Sequence, residues 1–210
     1  MSSFECVDCD VGMKSLKKES VDLIFTDPPY VKDQYEKAYT VLARHAKRIL
    51  KPSGYLISYC GHYHLPDVHD IFRKVRLVYY WQVSQLNTGS LSLIHHRNIL
   101  AGYKPILIYQ KAPLNPTNKI FKDVIAGRHS KNYHAGEQSI QEALHLLSRF
   151  CKPGDKIVDP FTGSGTTLLA AKLLGLDYTG FEIDPYTYAT ACRRLEQQPL
   201  DLTQFIEVEA

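Results

Sequence analysis

The chain has 210 residues, 44% hydrophobic and 22% charged, an ordinary globular composition with enough length for one well-filled core. Its net charge of +3 and isoelectric point near 8.5 permit a nucleic-acid partner but are too small to demand one. No stretch approaches the roughly 18 apolar residues of a membrane span, no basic segment leads into an apolar run at the start, and five irregularly spaced cysteines suit reduced thiols, so one cytoplasmic domain over 1–210 without disulfides is expected.

Short apolar runs alternate with longer segments of helical period, which predicts a largely parallel sheet with helices on both faces. Residues 4–7 and 21–26 read as strands, the second halted by Pro28 and Pro29, which remove backbone donors and fix an extended turn. Over 34–50, Tyr35, Ala38, Leu42, Ala46 and Ile49 recur at helical spacing, and Lys51-Pro52-Ser53-Gly54 reads as that helix's end. Residues 55–59, 77–83 and 105–110 read as strands, the last two able to pair antiparallel, while 87–103 and 112–133 read as surface loops. Ile140, Ala143, Leu144, Leu147 and Phe150 mark another helix, then come a strand at 156–158, a helix at 166–174 stopped by Gly175, a strand at 178–181 and a final helix at 185–197.

Two segments carry chemistry. Asp159-Pro160-Phe161-Thr162-Gly163-Ser164-Gly165-Thr166-Thr167 joins a predicted strand to a helix, where glycines let backbone amides approach a ligand. A nicotinamide-dinucleotide fingerprint would need a further glycine where Leu168 stands, which argues against a dehydrogenase. Glu182, about twenty residues on at a strand end, is placed to accept hydrogen bonds from ribose hydroxyls, with Asp184 as a second candidate. The other segment, Asp27-Pro28-Pro29-Tyr30, reads by itself as a turn ending a strand.

Together these residues resemble the DNA methyltransferases that act on adenine N6 or cytosine N4, in the permuted order with Asp-Pro-Pro-Tyr ahead of the glycine turn. The resemblance is carried by Val7-Asp8-Cys9, Ser20-Val21-Asp22-Leu23-Ile24, Asp27-Pro28-Pro29-Tyr30, the stretch from His134 through Thr167, and Glu182. Val7 replaces a usual glycine, and Gln138-Ser139 replace a usual Lys-Pro. Residues 31–133 match only loosely. The resemblance implies a Rossmann-like, seven-stranded, mostly parallel fold and S-adenosylmethionine as cofactor. It assigns Asp8 to the cofactor's adenine amine, with Cys9, the glycine turn, Glu182 and Asp184 completing that site.

For the reaction, an exocyclic base amine is a poor nucleophile because its lone pair is delocalised into the ring. Asp27 and the Pro28 carbonyl would each accept one amine hydrogen and stabilise charge developing on nitrogen, with Pro29 stiffening the loop. Tyr30 would stack on a base rotated out of the duplex, and Phe161 would pack beside the cofactor's methionine part. Neither a metal nor a covalent enzyme intermediate is required, and no Pro-Cys pair of the carbon-5 methylating type occurs. Asparagine would stand at the position of Asp27 in the related protein-glutamine enzymes.

Weaker signals have bland alternatives. Cys6-Val7-Asp8-Cys9 has metal-ligand spacing without a second cysteine pair, and Cys60, His62, His64 and His69 read more simply as a strand end with a solvated histidine loop. Lys111, Lys119, Lys122, Arg128, His129, Lys131 and Tyr133, with His95, His96 and Arg97, suit either phosphate contacts or solvated loops. The expectation is methylation of adenine N6 in DNA, with recognition loops within 86–103 and 112–133. Cytosine N4, RNA adenine and a silent cofactor-binding scaffold are the rivals. A homodimer and a restriction-enzyme partner are the expected associations.

Overall fold

Apolar residues alternate along the central strands and sort the core onto two faces of one sheet. The structure, a computed structural model, describes residues 2–87, 91–117, 119–126 and 139–197. In chain order the elements are β1 (Ser3–Cys6), α1 (Cys9–Ser15), β2 (Val21–Thr26), α2 (Lys32–Ile49), β3 (Leu50–Tyr59), α3 (Leu65–Lys74) and β4 (Leu77–Leu86). They continue as β5 (Ser92–Ile94), β6 (Ile99–Ala101), β7 (Tyr103–Lys111), β8 (Val124–Ala126), α4 (Ile140–Phe150), β9 (Lys156–Asp159), α5 (Thr166–Leu173), β10 (Asp177–Glu182) and α6 (Pro185–Glu196).

Among the described residues the main sheet has eight strands in the order β1-β10-β9-β2-β3-β7-β4-β8, of which β7 alone runs against the others. On β2, Ile24 faces one core while Leu23 and Phe25 face the other; on β3, Leu56 opposes Tyr55 and Ile57 in the same way. The first face is covered from α1, α2 and α3 by Met13, Tyr39, Leu42, Ile49, Val68 and Phe72. The second is covered from α4 and α5 by Ala143, Leu146, Leu147, Ala170 and Ala171. A strand buried on both faces cannot alternate apolar with polar residues, which explains the consecutive Leu23, Ile24 and Phe25.

The α/β class and the antiparallel pairing of β4 with β7 match expectation, and several local readings are corrected. The eighth strand is β8, three residues that pair parallel to β4 at Ser84↔Val124 within a segment read as loop. The other predicted loop contains the β5–β6 hairpin, turned at Asn98 in left-handed geometry (φ 52°). The segment Lys51-Pro52-Ser53-Gly54 does not separate helix from strand. The strand begins at Leu50 and bulges, its register slipping between Val21↔Leu50 and Leu23↔Tyr55, with Ser53 at φ 62°. Asp22 fastens this end of the sheet, accepting from Lys51 Nζ at 2.7 and 2.8 Å and from the Lys156 amide at 2.9 Å.

Two short helices went unpredicted. α1 starts at Cys9, where Asp8 caps the Asp10 amide at 2.8 Å, and packs so closely that a Cβ on Gly12 would lie 2.4 Å from the Phe181 ring. α3 follows His62 and His64, carries His69, corrects the solvated-loop reading and buries Val68 and Phe72, one helical turn apart. Among the described residues no helix is long and apolar enough to cross a membrane.

Candidate active site

Neighbouring parallel strands end on the same rim, and β10, β9 and β2 bring three of the singled-out segments there. A cavity of about 320 Å³ opens between the loops after β2 and β9. Its lining includes Asp27, Pro28, Pro29 and Tyr30 from one loop and Asp159, Phe161, Thr162, Gly163, Ser164, Thr166 and Thr167 from the other. Two segments more than a hundred residues apart in sequence thus share one pocket, floored by Phe25, Thr26, Tyr59 and Ala143.

The glycine turn is held from below and behind. Thr162 donates its amide to Phe181 O at 3.1 Å and its hydroxyl to Asp159 O at 3.0 Å. Gly163 and Gly165 take φ of 52° and 86°, where a side chain would be strained, and α5 begins immediately after them. From α6, the buried Arg194 Nη1 donates to Ser164 O and Oγ, both at 3.2 Å, and to Thr166 Oγ1 at 3.0 Å. The Asp159 carboxylate accepts from Thr26 Oγ1 at 2.7 Å and the Phe161 amide at 3.1 Å, and burial pushes its pKa up to about 6. Asp159 thus braces the turn while also lining the cavity.

Glu182 does not line the cavity but grips its rim. One oxygen accepts from the Gly163 amide at 2.9 Å and the other from the Asp184 amide at 2.9 Å, leaving further lone pairs for a ligand. Asp184 is exposed and caps α6 through Thr187 N at 2.7 Å. The Val7 amide bonds Glu182 O at 2.9 Å, which sets the exposed Asp8 beside β10. Cys9 is half-buried as the first residue of α1, its thiol pushed up to about 11 by burial and Asp8. Gly165 likewise stays outside the lining.

The Asp27 carboxylate is engaged on both oxygens. The Tyr30 hydroxyl donates to Oδ1, and Lys104 Nζ donates to Oδ2 at 2.8 Å. The same ammonium stands 4.7 Å from the Tyr30 ring centroid and 4.6 Å from that of Tyr59. Beneath lies Glu142 of α4, buried, accepting from Tyr59 Oη at 3.2 Å, its pKa pushed up to about 7 by burial. Burial and then the Asp27 charge hold the Tyr30 hydroxyl well above its ordinary range.

Sequence reasoning missed Lys104, Tyr59, Glu142 and Arg194. Lys104 is the second residue of β7, the strand that runs against its neighbours, so the start of that strand, rather than its end, meets this rim. Glu142 and Arg194 could have been noticed as charges on the inward faces of amphipathic helices.

The weaker signals fall elsewhere. Lys111 is buried rather than solvated, donating to Leu50 O at 2.6 Å and Glu19 at 3.0 Å. Lys119 donates to Ser148 O at 2.6 Å, and Arg97 lies over the Tyr63 ring at 5.1 Å. Arg128, His129, Lys131, Tyr133, His134 and Gln138 lie outside the described residues. His62 bonds Tyr103 O at 2.7 Å, His64 bonds Tyr30 O at 3.2 Å and His69 bonds the Tyr109 hydroxyl. Among the described residues no group of three His, Cys, Asp or Glu side chains is arranged to hold a metal.

With this geometry in place, residues 109–193 match the N6/N4 family model described as DNA methylase. The chain is 25% identical over 202 residues to a methylase from Escherichia coli strain K12, YubD, spanning 87% of this chain and 85% of that one. It is 25% identical over 231 residues to the type II methyltransferase M2.DpnII of Streptococcus pneumoniae, spanning 89% of this chain and 86% of the relative. Among solved structures, M1.HpyAVI with S-adenosylmethionine superposes with a TM-score of 0.78 at 23% identity, covering 93% of this chain and all of that one.

Proposed function

We propose that this chain, which is similar to a DNA methylase family model over residues 109–193 and to type II methyltransferases along most of its length, transfers a methyl group from S-adenosylmethionine to the exocyclic N6 of adenine in DNA. The observation that carries the reading is the shared cavity, in which Asp27 and the glycine turn face one volume of about 320 Å³.

The residues fit such a cofactor. Amides of a glycine turn at the head of α5, an aromatic at Phe161 and a strand-end carboxylate at Glu182 suit its methionine part and ribose, with Asp8, Cys9 and Asp184 flanking the adenine end. Bound there, the cofactor supplies an electrophilic methyl group on sulfur.

The chain's own residues would then position the amine. Asp27 and the Pro28 carbonyl each accept one amine hydrogen, which draws nitrogen toward tetrahedral geometry and offsets its developing positive charge. The buried Pro28 and the half-buried Pro29 keep those acceptors from reorganising. Tyr30 offers its ring to a base rotated out of the duplex, since in-line attack is impossible within the stack. The β5–β6 hairpin and residues 112–133 are the proposed recognition segments.

Cytosine N4 is the second reading, favoured by one observation. The cytosine-N4-specific PvuII DNA methyltransferase superposes with a TM-score of 0.80 at 17% identity, covering 98% of this chain and 90% of that one. Methyl transfer from labelled S-adenosylmethionine to unmethylated plasmid DNA, followed by nucleoside analysis, separates the cases. Labelled N6-methyladenine supports the proposal and N4-methylcytosine the second reading. Transfer to RNA alone, or to neither polymer, would sink both.

A further inference from the structure

Asp27 is approached from two sides. From the side of the glycine turn comes the cavity, whose lining does not include Lys104. Against Oδ2 stands the Lys104 ammonium, 2.8 Å away, its side chain 23% exposed and so connected to solvent. Tyr30 and Tyr59 present their rings to that same ammonium. A nitrogen donor held on the Asp27 carboxylate and against the Tyr30 ring describes Lys104 as it stands. It also describes the base amine that the proposed reaction requires.

The two occupants exclude one another. An amine hydrogen directed at Oδ2 would share that oxygen with the Lys104 ammonium, which also covers the face of Tyr30 on which the base would stack. A fixed ammonium within hydrogen-bond reach of that oxygen would also oppose the positive charge growing on the attacked nitrogen. The backbone cannot relieve the conflict, because Lys104 sits in the β4–β7 ladder opposite Gln85, and the next residue, Pro105, accepts at 2.9 Å from the amide of Cys60, which follows β3 on the other side. Only the side chain can move. It has four carbons of reach and an open route outward, and a partly exposed ion pair is weak enough to exchange.

We propose that Lys104 is a built-in surrogate for the target amine: it holds the base seat closed in the DNA-free chain and is displaced when a base enters. This inference rests on the base-amine reading of the site. Filling Asp27 with its own cation keeps the carboxylate paired and the aromatic pocket from admitting loose nucleosides. A seat occupied about nine-tenths of the time weakens the apparent affinity of any entering base about tenfold.

The test is binding of free adenosine and cytidine to the whole chain saturated with S-adenosylhomocysteine, followed by ligand-observed NMR titration. Lys104→Met should bind at least one nucleoside about tenfold more tightly than the parent chain, whereas Lys104→Arg, which keeps the cation, should stay near the parent. Lys104→Gln supplies a second uncharged variant should the methionine variant fail to fold, with thermal unfolding as the check. Unchanged, weaker or undetectable binding by the folded uncharged variants would overturn the proposal and leave Lys104 as a positioning residue for Asp27. A parent chain without methyl transfer would defeat the functional reading instead, while the binding comparison would still decide whether Lys104 closes the seat.

Discussion

Thr26 Oγ1 donates to Asp159 Oδ1 at 2.7 Å, linking the last residues of two adjacent strands at the point where both loops of the site begin. The bond is buried and sets the Asp27 loop relative to the glycine turn. Thr26→Val keeps the shape and removes the donor, leaving a buried carboxylate short of one partner. The expected loss of stability is about 1–3 kcal/mol in urea unfolding, with weaker cofactor binding by calorimetry. Full stability in the variant would show that the bond does not tie the two loops.

Asp27→Asn retains size and one acceptor but loses the charge that offsets the developing cation. Methyl transfer to DNA should fall by about 10²-fold or more, while the dissociation constant for S-adenosylmethionine stays within about threefold, since the proposed cofactor contacts lie on the glycine turn. Measuring turnover and cofactor affinity on the same preparation separates these effects. An equal loss in both would move Asp27 from the reacting amine to the cofactor site.

Arg194 braces the glycine turn with one nitrogen bonded to Ser164 and Thr166. Arg194→Met fills similar volume without donors. The expected cost is about 2 kcal/mol of stability, together with about tenfold weaker cofactor binding from a loosened turn. A variant that bound cofactor normally would assign Arg194 to packing alone.

Glu142 gives a pH dependence with a definite sign. Its pKa rises from 4.5 to about 7 through burial, so the folded chain holds this proton more tightly than the unfolded chain. The stabilisation is fully present below about pH 4.5 and is lost as pH climbs through about 7. Glu142→Gln cannot titrate. Its stability relative to the parent should therefore improve between pH 5 and pH 8 by on the order of 3 kcal/mol. Denaturant midpoints at the two pH values measure this, and a constant difference would refute it.

Strands buried on both faces, such as β2 with Leu23, Ile24 and Phe25, declared themselves because only such strands need consecutive apolar residues. The glycine turn was equally visible, since positive φ at Gly163 and Gly165 restricts residue choice. The short helix α1 was not. Seven residues carry little periodicity, and what fixes it is Gly12 against Phe181, a contact 169 positions away in the chain. Lys104 was equally hidden, because nothing local distinguishes a lysine near the start of a reversed strand from one on any surface. Asp27 and Glu182 could be singled out by order along the chain, but their partners depend on which strands lie side by side.

Asp22 has a consequence for how such a chain can change. Its carboxylate fastens Lys51 and the Lys156 amide at the rim away from the cavity, where β2, β3 and β9 begin. Strand register is thus anchored at the end of the sheet that performs no chemistry. Segments on the opposite rim, the β5–β6 hairpin among them, can be lengthened, shortened or exchanged while the catalytic strands keep their alignment. New sequence preferences can be tried there without re-registering the framework.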